Sequence, residues 1–253
     1  MRIRLIIFDL MKYCKTYSIA LFFILRLITP VHSQENVATA GFQIKPIIPS
    51  EMFKTGKSDF TDSSVHFTLQ PNLGYCFGMV VRKGITPTFS FETGINYARR
   101  NYTIRIEDTT FNTSRKYKLI SYEIPLLMLV YIRLGEQLYM NTAAGLSLDM
   151  FPTDLSTSND YISHVTLRRN WLQTALLANI GFEWRTEKSG YFYLGASYHR
   201  PFRDNVFNSI LYKRYSRLNG PVFNTWLSGN YLTVDFRYFF HENPEKKSKR
   251  KTK

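Results

Sequence analysis

Cysteine is almost missing from this chain, and its scarcity excludes a good deal. The 253 residues hold two, Cys14 and Cys76. Cys14 falls in a segment that reads as an export signal, so a processed chain keeps Cys76 alone. That rules out an intramolecular disulfide and any Cys-rich metal site. Long hydrophobic runs are lacking too. The mean hydropathy of -0.22 excludes a bundle of membrane helices, whereas strands that alternate apolar and polar residues cross a bilayer without a hydrophobic average. No helical periodicity is visible after residue 40. There is no Gly-rich phosphate loop, and the five histidines (His32, His66, His164, His199, His241) show no metal-ligand spacing. No metal and no cofactor is expected. Acidic residues are outnumbered, 19 Asp and Glu against 33 Lys and Arg, which leaves a net charge of +14.

The surplus of positive charge is partly local. Lys246, Lys247, Lys249, Arg250, Lys251 and Lys253 crowd the end of the chain against Glu242 and Glu245. Residues 241–253 therefore read as a solvated, disordered basic tail. Nothing beyond charge supports nucleic acid binding, and none is expected. At the other end, Lys12 and Lys15 precede an apolar stretch from Ile19 to Ile28, and Val31-His32-Ser33 provides an export cleavage site. Residues 1–33 are expected to be a signal peptide. Asp9 is out of place in its basic region, and a start at Met11 gives the more ordinary signal. Removing residues 1–33 takes away five basic residues and one acid, leaving 28 minus 18, or +10.

Aromatic residues are plentiful, at 16% with 17 Tyr and 20 Phe, and they fall on a two-residue period. In residues 66–81, Phe67, Leu69, Pro71, Leu73, Tyr75, Phe77, Met79 and Val81 share one side of an extended chain. Residues 88–106, 118–133, 138–150, 172–185, 192–199 and 232–240 repeat the pattern, and Gly41 to Ile48 adds a shorter segment. Eight strands result. The connections between them alternate: long at 49–65, short at 82–87, medium at 107–117, short at 134–137, long at 151–170, short at 186–190, long at 203–230. Short periplasmic turns and longer external loops are the order an outer-membrane barrel requires. The sequence thus predicts an all-β fold: an eight-stranded antiparallel up-and-down transmembrane β-barrel over residues 34–240, in the cell outer membrane.

Alternation alone does not say which face is outside, because a soluble lipocalin alternates as well. Volume decides. An eight-stranded barrel has an interior just wide enough for side chains to fill, and the Gly, Ser, Asn and Ala of the polar face suit it. Phe, Tyr, Leu and Trp would overfill it, so they are assigned to the lipid side. The charged residues share the small-residue face: Glu92, Glu123, Asp149, Glu183 and Asp235 with Arg100, Arg133, Arg185 and Arg237. They are expected to form a lumen network of ion pairs that plugs the barrel. Phe89, Phe91, Phe182, Trp184, Phe192, Tyr238 and Phe240 are expected to build an aromatic girdle at the periplasmic rim. Pro71 and Pro125 sit awkwardly within strands, where each removes a ladder donor.

The stretches Gly74-Tyr75-Cys76-Phe77-Gly78-Met79, Glu92-Thr93-Gly94-Ile95-Asn96-Tyr97 and Tyr122-Glu123-Ile124-Pro125-Leu126-Leu127 resemble the PorT-like outer-membrane β-barrel family of Bacteroidota. The Tyr-x-Glu-Ile-Pro-Leu portion is the most characteristic. The final strand, Tyr231 to Phe240, resembles the aromatic-ended strand by which the barrel assembly machinery recognises its clients. The resemblance covers residues 41–240. It implies an outer-membrane barrel and carries no catalytic signature; the family's namesake is associated with type IX secretion and gliding.

Three functions follow as expectations. The first is a non-catalytic scaffold or interaction subunit of an envelope complex, in contact with outer-membrane lipid and other envelope proteins. Its external loop at 203–230 offers Tyr212, Arg214, Tyr215, Arg217 and Trp226 as partner contacts, since aromatic and Arg side chains are enriched where proteins grip one another. The second is a lipid-modifying enzyme resembling a lipid A deacylase, for which Ser197 and His199 are the weak catalytic candidates. The third is a narrow passive channel. Residues 54–64 and 152–160 are expected to be mobile.

Overall fold

Where apolar and polar residues alternate, the chain extends, and the extended segments close on themselves. The structure, a computed structural model, describes residues 38–50, 57–62, 64–86, 88–186, 189–213 and 220–241. The expected signal peptide and most of the basic tail lie outside these. Thirteen strands are formed: β1 (Ala38–Ile48), β2 (Ser58–Asp62), β3 (Val65–Gly84), β4 (Phe89–Asp108), β5 (Phe111–Arg133), β6 (Leu138–Met150), β7 (Leu155–Ser158), β8 (Ile162–Arg168), β9 (Leu172–Thr186), β10 (Gly190–Pro201), β11 (Val206–Tyr212), β12 (Val222–Leu227) and β13 (Tyr231–Phe239). Eight of them, β1, β3, β4, β5, β6, β9, β10 and β13, form an antiparallel barrel. β1 closes it by pairing with both β3 and β13.

Strand β9 shows how the faces divide. Ile180, Phe182 and Trp184 are 54%, 50% and 58% exposed, and they alternate with the buried Glu183 and Arg185. On this strand large apolar side chains point outward and charged ones inward; elsewhere the interior also takes Leu127, Leu129, Tyr131, Tyr139, Tyr193 and Phe239, so it is less restricted to small residues than the volume argument requires. Phe42, Phe192, Tyr238 and Phe240 meet in edge-to-face and tilted contacts on the outer surface near the short turns, with ring separations of 5.1–5.5 Å. Phe192, Tyr238 and Phe240 are among the residues expected in the girdle; Phe42 adds to them. Inside, a Cβ at Gly181 or Gly195 would collide with the Tyr193 hydroxyl. Small residues are required where that ring lies across the lumen.

Strand β3 does not keep one face throughout. Pairing with β4 slips between Asn72 and Tyr75, where β3 carries one extra residue. A bulge of this kind reverses the side-chain parity. Tyr75, Phe77 and Met79 face outward below it, but Phe67 and Leu69 are fully buried above it. The uninterrupted sixteen-residue face expected for residues 66–81 is thus two half-faces. Pro71 lies beside the bulge, where β3 pairs with neither β1 nor β2 on one side. Pro125 lies where the β4–β5 pairing lapses between Thr93↔Leu126 and Asn96↔Glu123. Each proline occupies a gap in a ladder, so neither removes a needed bond.

Strands β3, β4 and β5 have 20, 20 and 23 residues, about twice the 9–11 needed to cross a bilayer. Their outer halves extend past the membrane. Residues 107–117, expected as a medium loop, form the tips of β4 and β5 joined by a tight turn. The long connections are also structured. β7, β8, β11 and β12 form a second sheet in the order β12-β11-β8-β7, and β2 adds to β3. Within the stretches expected to be mobile, residues 58–62 and 155–158 form strands β2 and β7; residues 54–56 and 63 lie outside the described residues.

The second sheet covers the outer halves of β3–β5. Between them lies a hydrophobic core that includes Val65, Phe67, Leu69, Tyr102, Ile104, Ile106, Ile162, Ile210 and Phe223. The Phe60–Phe223 stack (5.3 Å) and the Tyr117–His164 contact (4.4 Å) tie the layers together, while Tyr102 and Tyr117 stack within the first. The molecule has a membrane barrel and, outside the bilayer, a cap built like a small β-sandwich.

Candidate functional site

The lumen carries the chemistry, in two groups at different depths. Toward the short-turn, periplasmic end, Arg82 of β3 joins Glu92 of β4 (2.9 Å) and Glu183 of β9 (2.5 Å). Arg237 of β13 bridges Glu92 (2.6 Å) and Asp235 (2.7 Å). Arg185 joins Glu183 (2.7 Å), and Lys45 approaches Asp235 at 3.6 Å. Asp235 also accepts hydrogen bonds from Ser197 (2.5 Å) and Thr233 (2.6 Å). Four cations face three carboxylates, and all are buried. Aromatic rings complete the packing: Arg82 lies 4.0 Å from the Phe239 ring and Arg185 3.9 Å from that of Tyr139. A desolvated charge is tolerated only where such partners are fixed, and here they fill the bore.

The second group lies nearer the cap. Glu123 of β5 and Asp149 of β6 are direct cross-strand partners. His199 of β10 places Nε2 2.9 Å from Asp149 Oδ2, yet neither of its ring nitrogens makes an aligned hydrogen bond. Its ring stacks on Tyr231 at 4.4 Å and 9°. The Tyr231 hydroxyl donates to Glu123 Oε1 (2.5 Å), and Ser147 donates to Asp149 Oδ1 (2.6 Å). Arg100, expected among the ion pairs, instead donates to the carbonyl of Gly229 (3.1 Å), a left-handed residue with φ of 72°. Beside it is a cavity of about 160 Å³ lined by Ile47, Leu69, Arg100, Tyr102, Trp226 and Tyr231 among others.

Of the residues assigned to a lumen network, Glu92, Glu183, Arg185, Asp235 and Arg237 lie together in the periplasmic group, with Glu123 and Asp149 nearby in the outer group. Arg133 does not join it. It has the inward parity but lies at the end of β5, past the rim, where it is exposed and donates to the carbonyl of Gly135. Two members were missed. Arg82 was assigned to a turn, although β3 runs on to Gly84; Lys45 stood on the polar face of β1 without an assigned partner.

Ser197 and His199 share the lumen face and are both buried. The Ser197 hydroxyl is committed to Asp235, and no hydrogen bond joins it to His199. Tyr212, expected as a loop contact, is fully buried in the cap and its hydroxyl reaches Asp108. Trp226 is exposed, packs on Phe207 at 5.1 Å and carries Arg169 4.3 Å from its ring. Arg214, Tyr215 and Arg217 lie outside the described residues.

In the cap, His164, Thr166 and Asn208 form a buried polar group. His164 Nε2 lies 3.0 Å from Asn208 Oδ1 and 2.8 Å from the Thr166 hydroxyl. Burial pushes the His164 pKa down, and the Asn208 contact opposes that shift.

Comparison with known proteins agrees with this architecture. Among solved structures, the outer membrane protein OprG of Pseudomonas aeruginosa is similar, with a TM-score of 0.56 and 12% identity over 85% of this chain and 100% of that one. The outer membrane protease OmpT of Escherichia coli matches with a TM-score of 0.34 and 9% identity over 85% and 100% of the two chains; this likeness is too slight to carry an argument. No curated protein matches the sequence. The family described as outer membrane protein beta-barrel domain matches residues 37–206. The chain belongs to that family and is an outer-membrane β-barrel protein.

Proposed function

We propose that this protein is a closed, non-catalytic barrel that presents its external cap to other envelope components as a scaffold or interaction subunit. The observation that carries the reading is the filled bore. Buried ion pairs occupy the periplasmic half of the lumen, and the second sheet covers the outer end. This arrangement argues against a solute path. A lipid-modifying reaction would need a nucleophile and base in contact at the lipid-facing rim, whereas Ser197 and His199 are interior and separately engaged.

The outward face of the cap offers the contact surface. Leu167, Val222 and Trp226 are exposed there, with Arg168 and Arg169 at its border. Apolar and aromatic anchors ringed by Arg suit a protein partner. The Tyr122 to Leu127 stretch supports a finer assignment to the PorT-like branch and so to a secretion-related complex.

Affinity purification from mildly solubilised outer membranes tests the reading. A stoichiometric set of envelope proteins is expected with the wild type, and its loss with Leu167→Glu/Trp226→Ala, which leaves barrel insertion intact. Recovery of the barrel alone, together with altered envelope lipids in a Ser197→Ala strain, would favour the enzymatic alternative.

A further inference from the structure

Glu123 and Asp149 present an electrostatic problem that the rest of the lumen does not. Like charges placed directly opposite on neighbouring strands repel, and these two carboxylates are buried cross-strand partners. In the periplasmic half every carboxylate has a Lys or Arg within 3.6 Å. Among the described residues, no Lys or Arg forms an ion pair with Glu123 or Asp149. Arg100 is turned instead to the Gly229 carbonyl. The third neighbour is His199, 1% exposed, whose Nε2 lies 2.9 Å from Asp149 Oδ2 although neither ring nitrogen makes an aligned hydrogen bond. A buried imidazole left in that state forfeits a bond at each nitrogen.

We propose that Glu123, Asp149 and His199 bind one divalent transition-metal ion in the outer half of the lumen. The three supply one imidazole nitrogen and two carboxylate oxygens that lie within 4.8 Å of one another. This mixed nitrogen and oxygen donor set selects ions such as Zn²⁺ or Mn²⁺ over those preferring thiolate or all-oxygen cages. Each carboxylate is oriented by a hydroxyl, Glu123 by Tyr231 and Asp149 by Ser147, and the His199 ring is held by stacking on Tyr231. Ordered metal ligands depend on supports of this kind. A dication would neutralise the opposed carboxylates and give a His199 nitrogen a directed bond in place of the unaligned contact to Asp149. The cavity of about 160 Å³ lined by Arg100 and Tyr231 adjoins the site through Tyr231, the residue that holds both Glu123 and His199. The ion would pin β5, β6 and β10 together beneath the cap.

The test uses untagged, full-length protein, refolded into detergent with and without one equivalent of Co²⁺ and then desalted. Wild type is expected to retain close to one equivalent, to show a ligand-field absorption band, and to melt several degrees higher than the metal-free protein. His199→Gln is expected to abolish all three signals while still showing the folded, heat-modifiable band on gels. Tyr231→Phe is expected to weaken binding about 10- to 100-fold. His241→Ala, on the exposed segment after β13, is expected to change nothing. Absence of stoichiometric retention and of the absorption band in wild type would overturn the proposal. So would undiminished retention in a folded His199→Gln or, should that variant not fold, in Asp149→Asn.

Discussion

Arg82 touches two carboxylates, Glu92 and Glu183, so its removal leaves Glu92 with Arg237 alone and Glu183 with Arg185 alone in the interior. Breaking a buried ion pair by deleting one partner costs about 3–5 kcal/mol. Arg82→Ala is therefore expected to lower the temperature at which the folded band converts to the unfolded one on heated gels. Arg82→Lys recovers only part of the loss, since an ammonium lacks the fork that spans two acceptors. An unchanged conversion temperature in Arg82→Ala would remove the network from the list of what holds the barrel together. His164 gives a second residue-scale outcome. The folded cap keeps it neutral below its ordinary value of about 6.5, while the unfolded segment takes up a proton there. Its contribution is thus complete above that pH and is lost as pH falls through the interval below it. Proteolytic clipping of the cap is expected to rise between pH 7.5 and 5.5 in wild type and to vary less in His164→Gln. The inward-facing acids were legible in the sequence because period-two parity fixes a side. Arg82 was not, because the strand end was placed too early.

Strand β3 shows what parity alone does not give. Its apolar residues alternate without a break from Phe67 to Val81, yet one extra residue between Asn72 and Tyr75 turns the outer half inward. A bulge preserves the apparent pattern when apolar residues stand on both sides of it, so the sequence carries no visible mark beyond Pro71 and Gly74. The cap was hidden for a related reason. Strands β7, β8, β11 and β12 have four to seven residues each and mix Asn, Ser and Thr with apolar positions, which reads as loop. Phe67 tests the inward turn, being completely buried in the cap core. Phe67→Ala is expected to destabilise the cap by about 3–5 kcal/mol and to expose it to added protease, with the membrane barrel still resistant. Equal resistance of wild type and variant would place Phe67 outside any core.

At the scale of the molecule, eight strands, their order and the outward apolar face all followed from residue alternation and connection length. Those signals are strong because a lipid-facing surface tolerates few exceptions over nine or more consecutive residues. The outer group of Glu123, Asp149 and His199 was not legible as a unit, since its members come from three strands and meet only when the ring closes. Closure itself is the property on which the proposed role depends: a bore filled by Arg82, Arg185, Arg237 and their carboxylates, beneath a folded cap. Single-channel recording of the purified full-length protein in planar bilayers measures it. The packed lumen predicts a flat trace with no resolvable conductance steps across the usual voltage range. Steady, reproducible openings by the wild-type protein would contradict a closed barrel and return the passive channel to first place.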